Sequence, residues 1–326
     1  AQVNKDAYTN LAADLIKARR DAKLNQSQNF SRLVNYVTYG SKAPTHNFIT
    51  DAELQSMDPQ TLIDRIHTLN SYKHRILYYG PSTGQQLLDL IAADHRTPET
   101  LKEIPAGNEL TMLLTPETKV YIAPYDARQI YMAQISNKGD KFDAAIEPTR
   151  QLYNEYFGGG MNSIVFQEMR ESRGLAYSAN ARFSAPTYQK DPYYLRTQIA
   201  TQNDKMMDAI HTFNDIINNM PISDAAFKLA KDGMITRLRT ERITKMNVLL
   251  EYIYNQYLGY DVDPRIKLYN DAQSLMLDDI IVFQQQWVKG RTYNYAILGD
   301  KKDLDMNALS KIGTVVELKT EDIFGY

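Results

Sequence analysis

Two side chains near the middle of the chain could together bind a carbonyl oxygen or an oxyanion. Arg170 and Tyr177 lie seven positions apart in the stretch FQEMRESRGLAYS. A guanidinium and a phenol both donate hydrogen bonds, and fixed donors of this kind hold a peptide carbonyl or stabilise a developing oxyanion. The simpler alternative is that Arg170 is a solvated cation near a helix C-terminus, while Tyr177 belongs to the core of a sheet.

A helix, a sharp turn and a strand are predicted around this pair. Ser163 is a good N-cap residue, and the apolar residues that follow it have the spacing of one helical face. Gly174 stands where a left-handed C-terminal cap is easiest. Apolar and polar residues then alternate over residues 177–184, which indicates a half-buried strand. Because the turn folds the chain back, we expect Arg170 and Tyr177 to converge on one spot.

Three consecutive glycines at residues 158–160 precede the predicted helix. Such a run could cradle a phosphate at the helix N-terminus. However, it lacks both the Walker lysine and the GxGxxG spacing. Close backbone packing or a flexible loop is therefore the expected role of these glycines.

The run FQEMRESRGLAYS resembles the signature of the C-terminal half of the pitrilysin family of zinc metallopeptidases. That family includes insulin-degrading enzyme and the mitochondrial processing peptidase. Its inverted zinc motif, HxxEH, lies in one half of a clam shell, and an Arg/Tyr pair with this spacing lies in the other half. The resemblance implies that Arg170 and Tyr177 bind the substrate carbonyl in the intact enzyme. It also places four further residues in substrate binding: Gly158, Gly159, Gly160 and Arg173.

Composition limits the class of protein. The chain has 326 residues, 43% hydrophobic and 23% charged, with a formal net charge of -2. This profile is typical of globular domains and shows no electrostatic footprint for nucleic acid. No apolar run approaches the roughly 20 residues that span a bilayer. The absence of cysteine excludes disulfides, thiolate metal sites and a cysteine nucleophile.

The predicted fold class is α+β, in two domains. Residues 1–105 contain amphipathic helices and one convincing strand, His74 to Tyr79, whereas strands alternate with helices over residues 106–326. The resemblance implies two metallohydrolase-like α/β-roll domains of the LuxS/processing-peptidase type, each an antiparallel sheet covered by helices. The first domain, residues 1–105, is then incomplete, and the second, residues 106–326, is the complete C-terminal domain.

An internal repeat makes the first domain unusual. Residues 35–40 resemble residues 254–260, aligned at Gly40 and Gly259, and residues 55–80 resemble residues 273–299 in sequence and in the order of predicted elements. The second copy follows a long run of predicted strands and helices that can build its sheet, whereas the first copy follows none. An isolated strand is unstable and its unpaired edges are prone to aggregation. We therefore expect a sheet partner for residues 73–80 to come from a missing segment or another molecule.

The zinc motif of the family is absent from the sequence. A zinc helix of this type needs two histidines four positions apart with a glutamate beside them. None of the five histidines has this spacing, and the predicted helix over residues 142–157 contains Glu147 and Glu155 but no histidine. We expect no zinc site in this chain, and the resemblance implies a zinc cofactor in the missing N-terminal half.

The leading functional hypothesis is the C-terminal substrate-binding half of a zinc metalloendopeptidase, inactive alone. Its expected partners are the missing N-terminal half or a sister subunit, together with a peptide substrate. The alternative is a non-catalytic scaffold or peptide-binding subunit that pairs with an active family member. The resemblance favours a periplasmic or exported bacterial protein.

Overall fold

A computed structural model describes residues 2–326, which form two compact units. The first comprises the described residues up to Ala22 together with Phe48–Glu109 and Ile243–Tyr252. The second comprises Lys23–Asn47, Leu110–Arg242 and Ile253–Tyr326. Segments from both sides of the predicted boundary at residue 105 thus contribute to each unit.

Helices make up most of the regular secondary structure of the described residues. In chain order they are α1 Lys5–Lys23, α2 Gln26–Tyr39, α3 Asp51–Ser56, α4 Pro59–Thr68, α5 Gly84–Asp94, α6 Glu147–Phe157, α7 Ile164–Phe166, α8 Met206–Asn218, α9 Asp224–Thr240, α10 Met246–Tyr257, α11 Arg265–Ser274, α12 Leu277–Phe283, α13 Met306–Ile312 and α14 Thr320–Phe324. Two of them, α7 and α12, continue as π-helical turns over Gln167–Ser172 and Gln284–Val288. Among the described residues, no helix combines the length and apolar character needed to cross a membrane.

One six-stranded sheet lies in the second unit. Its strands are β1 Lys119–Ala123, β2 Gln129–Ser136, β3 Ser178–Ser184, β4 Tyr194–Gln202, β5 Asn294–Leu298 and β6 Thr314–Glu317. Their order across the sheet is β3-β4-β2-β5-β1-β6, so β3 is an edge strand.

The α+β class is confirmed, but the sheet is mixed and not antiparallel throughout. Strands β3, β4, β2 and β5 pair antiparallel, whereas β1 runs parallel to both β5 and β6. Parallel neighbours need long connections, and here the chain between β1 and β5 includes three strands as well as several helices. Strand β5 lies at the centre, between β2 and β1.

Helices cover the sheet of the second unit on both faces. On one face, α6, α8 and α12 contribute to a large apolar core that includes Tyr153, Phe213 and Phe283. On the other face, α2 packs against β2 and β5, and the ring of Phe30 lies 5.5 Å from that of Tyr131.

The first unit has a much smaller core. Ala12, Ile16 and Leu54 form its buried cluster, against which Tyr8 packs. Neither α4 nor α5 contains a fully buried residue, although both are amphipathic.

The prediction of a strand from His74 to Tyr79 is wrong for the chain as described. One parallel bridge joins Tyr72 to Lys102, with the Lys73 amide donating to the Lys102 carbonyl at 2.8 Å. Beyond it, residues 74–79 form no β-ladder with any part of residues 2–326. A strand needs a hydrogen-bonded neighbour, and no described segment lies alongside this one.

Candidate functional site

The π-helical turn after α7 positions Arg170. Ser163 is the N-cap of α7, and its hydroxyl accepts a hydrogen bond from the Phe166 amide at 3.4 Å. Met169 is fully buried and anchors the turn to the core. The helix ends at Gly174, which has φ +56° and donates to the Arg170 carbonyl at 3.1 Å. π-Turns of this kind often occur at functional sites.

Tyr177 does not follow the alternation of buried and exposed residues in β3, the strand that comes directly after it. Alternation predicts that Tyr177 is buried with Ala179, and Ala179 is indeed buried, but Tyr177 is 71% exposed. Its amide donates to the Ala200 carbonyl at 2.8 Å, and Ala200 is also the register partner of Ser178. Two consecutive residues therefore lie opposite one residue of β4, which is the geometry of a β-bulge. The bulge turns Tyr177 outward, so the alternative that it is sheet core is wrong.

The two predicted side chains lie together. The Arg170 Cζ atom is 5.7 Å from the centroid of the Tyr177 ring and 5.1 Å from that of the Phe166 ring. Both distances fall within the range of a cation–π interaction. Arg170 thus contacts two aromatic rings beside the bulge.

The polar groups of this pair are available to a ligand. Within residues 2–326, the Tyr177 hydroxyl has no hydrogen-bond partner, and the ion-pair contact of Arg170 is with Glu171 at 3.7 Å. Both side chains border a cavity of about 290 Å³, whose other lining residues include Lys205. The Lys205 ammonium donates to the Gly174 carbonyl at 3.1 Å, so it helps to hold the turn.

Arg173 does not join this cavity. Its guanidinium pairs with Glu168 at 3.4 Å and reaches the Thr212 hydroxyl at 3.5 Å. These contacts tie the end of the turn to α8.

The glycines lie at a second cavity and pack closely against backbone. A Cβ atom on Gly158 would be 2.1 Å from the Ala181 carbonyl oxygen, and one on Gly159 would be 2.7 Å from the Asn154 oxygen. Around Gly160 there is open space. All three line a cavity of about 640 Å³ that also includes Phe166, the residue that contacts Arg170.

Helix α6 closes part of the outer edge of β3. The Asn154 side chain accepts a hydrogen bond from the Phe183 amide at 2.8 Å and donates one to the Phe183 carbonyl at 2.9 Å. It therefore makes the two hydrogen bonds that a neighbouring strand would make. Arg150 donates to the same carbonyl at 2.9 Å and forms a buried ion pair with Glu147 at 2.7 Å. Burial and the neighbouring Glu147 carboxylate raise the pKa of Tyr193, whose hydroxyl donates to that carboxylate at 2.8 Å.

Phe166 opens the run FQEMRESRGLAYS, but neither it nor Asn154 nor Arg150 is among the predicted site residues. A signal existed only for Arg150, because Glu147 and Arg150 have the i, i+3 spacing of a helical ion pair. Helix α6 begins at Glu147 and not at the predicted Phe142, with Pro148 in the first turn, where its missing N–H costs little.

The residues of this chain do not fit the zinc ion that the resemblance implies for the family. Nowhere in the described chain do three His, Cys, Asp or Glu side chains lie close enough to hold a metal ion. Helix α6 contains no histidine. In the first unit, the Nε2 atoms of His74 and His95 lie 2.7 Å apart, within hydrogen-bond distance.

The fold is that of a class of peptidase-related domains known from solved structures. The peptidase M16 inactive domain from Pseudomonas fluorescens is 13% identical, with a TM-score of 0.66 over 91% of this chain and 71% of that one. A conserved protein from Enterococcus faecalis is 13% identical, with a TM-score of 0.70 over 90% and 68%. The periplasmic protease PqqL from Escherichia coli is 13% identical, with a TM-score of 0.65 over 92% of this chain and 33% of that one.

A family match agrees with the fold. Residues 75–234 match the family model described as the peptidase M16 inactive domain. This match covers just under half of the chain, and together with the fold it confirms the resemblance identified from the sequence. No protein with curated function matches the chain significantly in sequence.

Proposed function

We propose that this chain is the C-terminal substrate-binding part of a zinc metalloendopeptidase, in which Arg170 and Tyr177 bind the carbonyl of the peptide. The β-bulge is the observation that supports this proposal most directly. It turns Tyr177 out of the sheet and leaves its hydroxyl beside Arg170 with no partner among the described residues.

The arrangement suits a group on which negative charge develops. A carbonyl oxygen can accept hydrogen bonds from the guanidinium and the phenol together, and both bonds strengthen as the oxygen becomes anionic. The two donors are attached to rigid elements, since Met169 is buried in the core and Tyr177 is hydrogen-bonded to β4. Donors fixed in advance need no reorganisation during the reaction.

The zinc ion belongs, on this proposal, to another polypeptide segment that carries the HxxEH motif. It would supply the activated water that attacks the peptide. The chain described here would bind and orient peptides, and alone it would not hydrolyse them.

The same partner would also complete the first unit. In the second copy of the repeat, β5 is flanked by β2, which runs antiparallel, and by β1, which runs parallel. The corresponding residues 75–79 have no such neighbours within residues 2–326, and Ile76 and Tyr79 are 46% and 63% exposed. We propose that the partner contributes one strand on each side of this segment.

The proposal is tested by Tyr177→Phe in the protein joined to its zinc-bearing half. Removing one oxyanion donor typically lowers kcat by about 10² to 10³-fold, and we expect KM to change far less. Tyr188→Phe is the matched control, because Tyr188 is an exposed tyrosine that does not line the cavity beside Arg170. An unchanged kcat for Tyr177→Phe would refute the assignment.

A non-catalytic scaffold or peptide-binding subunit is the second candidate. The uncovered apolar residues of the first unit favour it, because they call for a partner whether or not chemistry takes place. The two candidates differ in the partner: a polypeptide that lacks HxxEH would support the scaffold.

A further inference from the structure

Two arginines lie directly opposite each other on the edge of the sheet. Arg182 of β3 is the register partner of Arg196 of β4. Residues paired in this way have Cβ atoms roughly 5 Å apart, and like charges at such positions are destabilising. The arrangement therefore costs free energy unless an anion lies between or above the two guanidinium groups.

Both arginines belong to the face of the sheet that α2 covers only in part. Their neighbours in sequence, Phe183 and Leu195, are fully buried in the core, so the arginines point to the opposite face. Arg196 is half-buried there, and the loss of solvent lowers the pKa of its guanidinium. Its hydrogen bond is to the Gln198 side chain at 3.3 Å.

The described chain supplies no counter-ion for this pair. Among residues 2–326, neither Arg182 nor Arg196 has a carboxylate within ion-pair distance. The other arginines near the β3 edge do have one: Arg150 pairs with Glu147, and Arg237 pairs with Glu155 at 2.7 Å. The uncompensated positive charge is thus confined to the cross-strand pair.

Each of the two arginines lines a cavity. Arg196 lines a cavity of about 210 Å³ beside α2, together with the hydroxyls of Ser27 and Ser31. Arg182 lines the cavity of about 640 Å³ that the glycines border. Both cavities can admit a carboxylate, and the first adds two neutral donors to the charge.

We propose that Arg182 and Arg196 bind a carboxylate of the peptide substrate, supplied by an acidic side chain or by the C-terminus. This inference rests on the proposed function, because it takes the ligand to be a peptide. At about 3.3 Å per residue, the strand places Arg182 about 16 Å from Tyr177. An extended peptide whose carbonyl lies at Tyr177 therefore brings a carboxylate to Arg182 when the acidic group is about five residues away.

The test compares peptides that differ only in charge, with calorimetry of the complete chain at low ionic strength. One peptide carries internal glutamates and capped termini, a second carries glutamines instead, and a third is the glutamine peptide with a free C-terminal carboxylate. Charge-assisted hydrogen bonds are roughly twice as strong as neutral ones, so we expect at least one carboxylate peptide to bind about 10-fold more tightly than the capped glutamine peptide. Tighter binding of the glutamate peptide would identify the ligand as a side-chain carboxylate, and tighter binding of the peptide with a free C-terminus would identify it as a terminal carboxylate.

The dependence on Arg182 decides the outcome. Arg182→Gln should abolish the preference, and Arg182→Lys should retain part of it. Arg20→Gln removes the same charge from an exposed position of α1 and should leave the preference unchanged. Thermal unfolding of each variant checks that it is folded.

Three results would overturn the inference: no binding of any peptide, equal binding of all three, or a preference that persists in Arg182→Gln. Its failure is distinguishable from failure of the proposed function. If peptides of either charge bind equally but Tyr177→Phe still lowers kcat, the carbonyl site stands and the acidic selectivity does not. If Tyr177→Phe has no effect but Arg182→Gln abolishes the preference, the carboxylate site stands alone.

Discussion

The two copies of the internal repeat have the same order of helices but opposite degrees of burial. In the second copy, all five residues of β5 are buried. In the first copy, the aligned residues 75–79 lie outside any sheet, and Tyr79 is 63% exposed where Leu298 is fully buried. Local structure nevertheless agrees, because Gly40 and Gly259 follow corresponding helices with φ +66° and +80°.

This comparison distinguishes secondary structure that a segment can form by itself from secondary structure that depends on neighbouring segments. Helices and glycine turns depend mainly on nearby residues, so they form in both copies. A strand depends on hydrogen bonds and packing supplied by other strands, so it forms only in the second copy. The same completeness gives the second unit a sheet on which Arg170 and Tyr177 are held, whereas the described residues of the first unit form no such sheet.

The largest expected effect is on amide hydrogen exchange. Core strands exchange only through global unfolding, with free energies of several kcal/mol, whereas uncovered segments open at almost no cost. We expect the amides of residues 294–298 to be protected at least about 10³-fold more than those of residues 75–79. Mass spectrometry of peptic fragments would measure this, and equal protection would show that residues 74–79 are covered in the free chain.

Truncating side chains at aligned positions of the two repeat copies should also change the free energy of unfolding by unequal amounts. Leu298→Ala removes a fully buried side chain and should lower the free energy of unfolding by about 2–5 kcal/mol. Tyr79→Ala, at the aligned position, should change it by no more than about 0.5 kcal/mol. Urea unfolding measured by circular dichroism compares the two, and similar losses would contradict the difference in burial.

A smaller effect is expected where α6 meets the edge of β3. Gly158→Ala places a methyl group 2.1 Å from the Ala181 oxygen, and relieving this overlap should cost about 1–3 kcal/mol. Gly233→Ala is the matched control, because Gly233 lies within α9 with no atom near its added Cβ. That substitution should stabilise the protein by up to about 1 kcal/mol. Equal effects on the melting temperature would show that Gly158 is not in close contact with β3.

Much of the second unit could be predicted from the sequence. Strands alternate with helices over residues 106–326 as predicted, and the helix, turn and strand around Gly174 follow from N-cap and glycine signals. The position of Tyr177 could not be predicted, because alternation within one strand does not reveal that β4 pairs with a bulge. The contact of Asn154 with Phe183 escaped prediction for a similar reason, since it joins residues far apart in sequence.

The parallel pairing of β1 also lay beyond the sequence pattern. Its five residues read as a strand, but nothing in them indicates whether β5 and β6 run parallel or antiparallel to it. The order and direction of strands depend on how the connecting helices pack. The sheet could therefore be predicted as a class, and its topology required the structure.

A double-mutant cycle tests the central claim most directly, that Arg170 and Tyr177 act together on one carbonyl oxygen. The variants Arg170→Gln and Tyr177→Phe and their combination are compared by kcat in the protein joined to the proposed zinc-bearing half. Groups that act as a unit give strongly non-additive losses, so we expect the double variant to be about as slow as the slower single variant. Losses that multiply, or single variants as fast as the unmodified protein, would contradict a shared role of the two side chains.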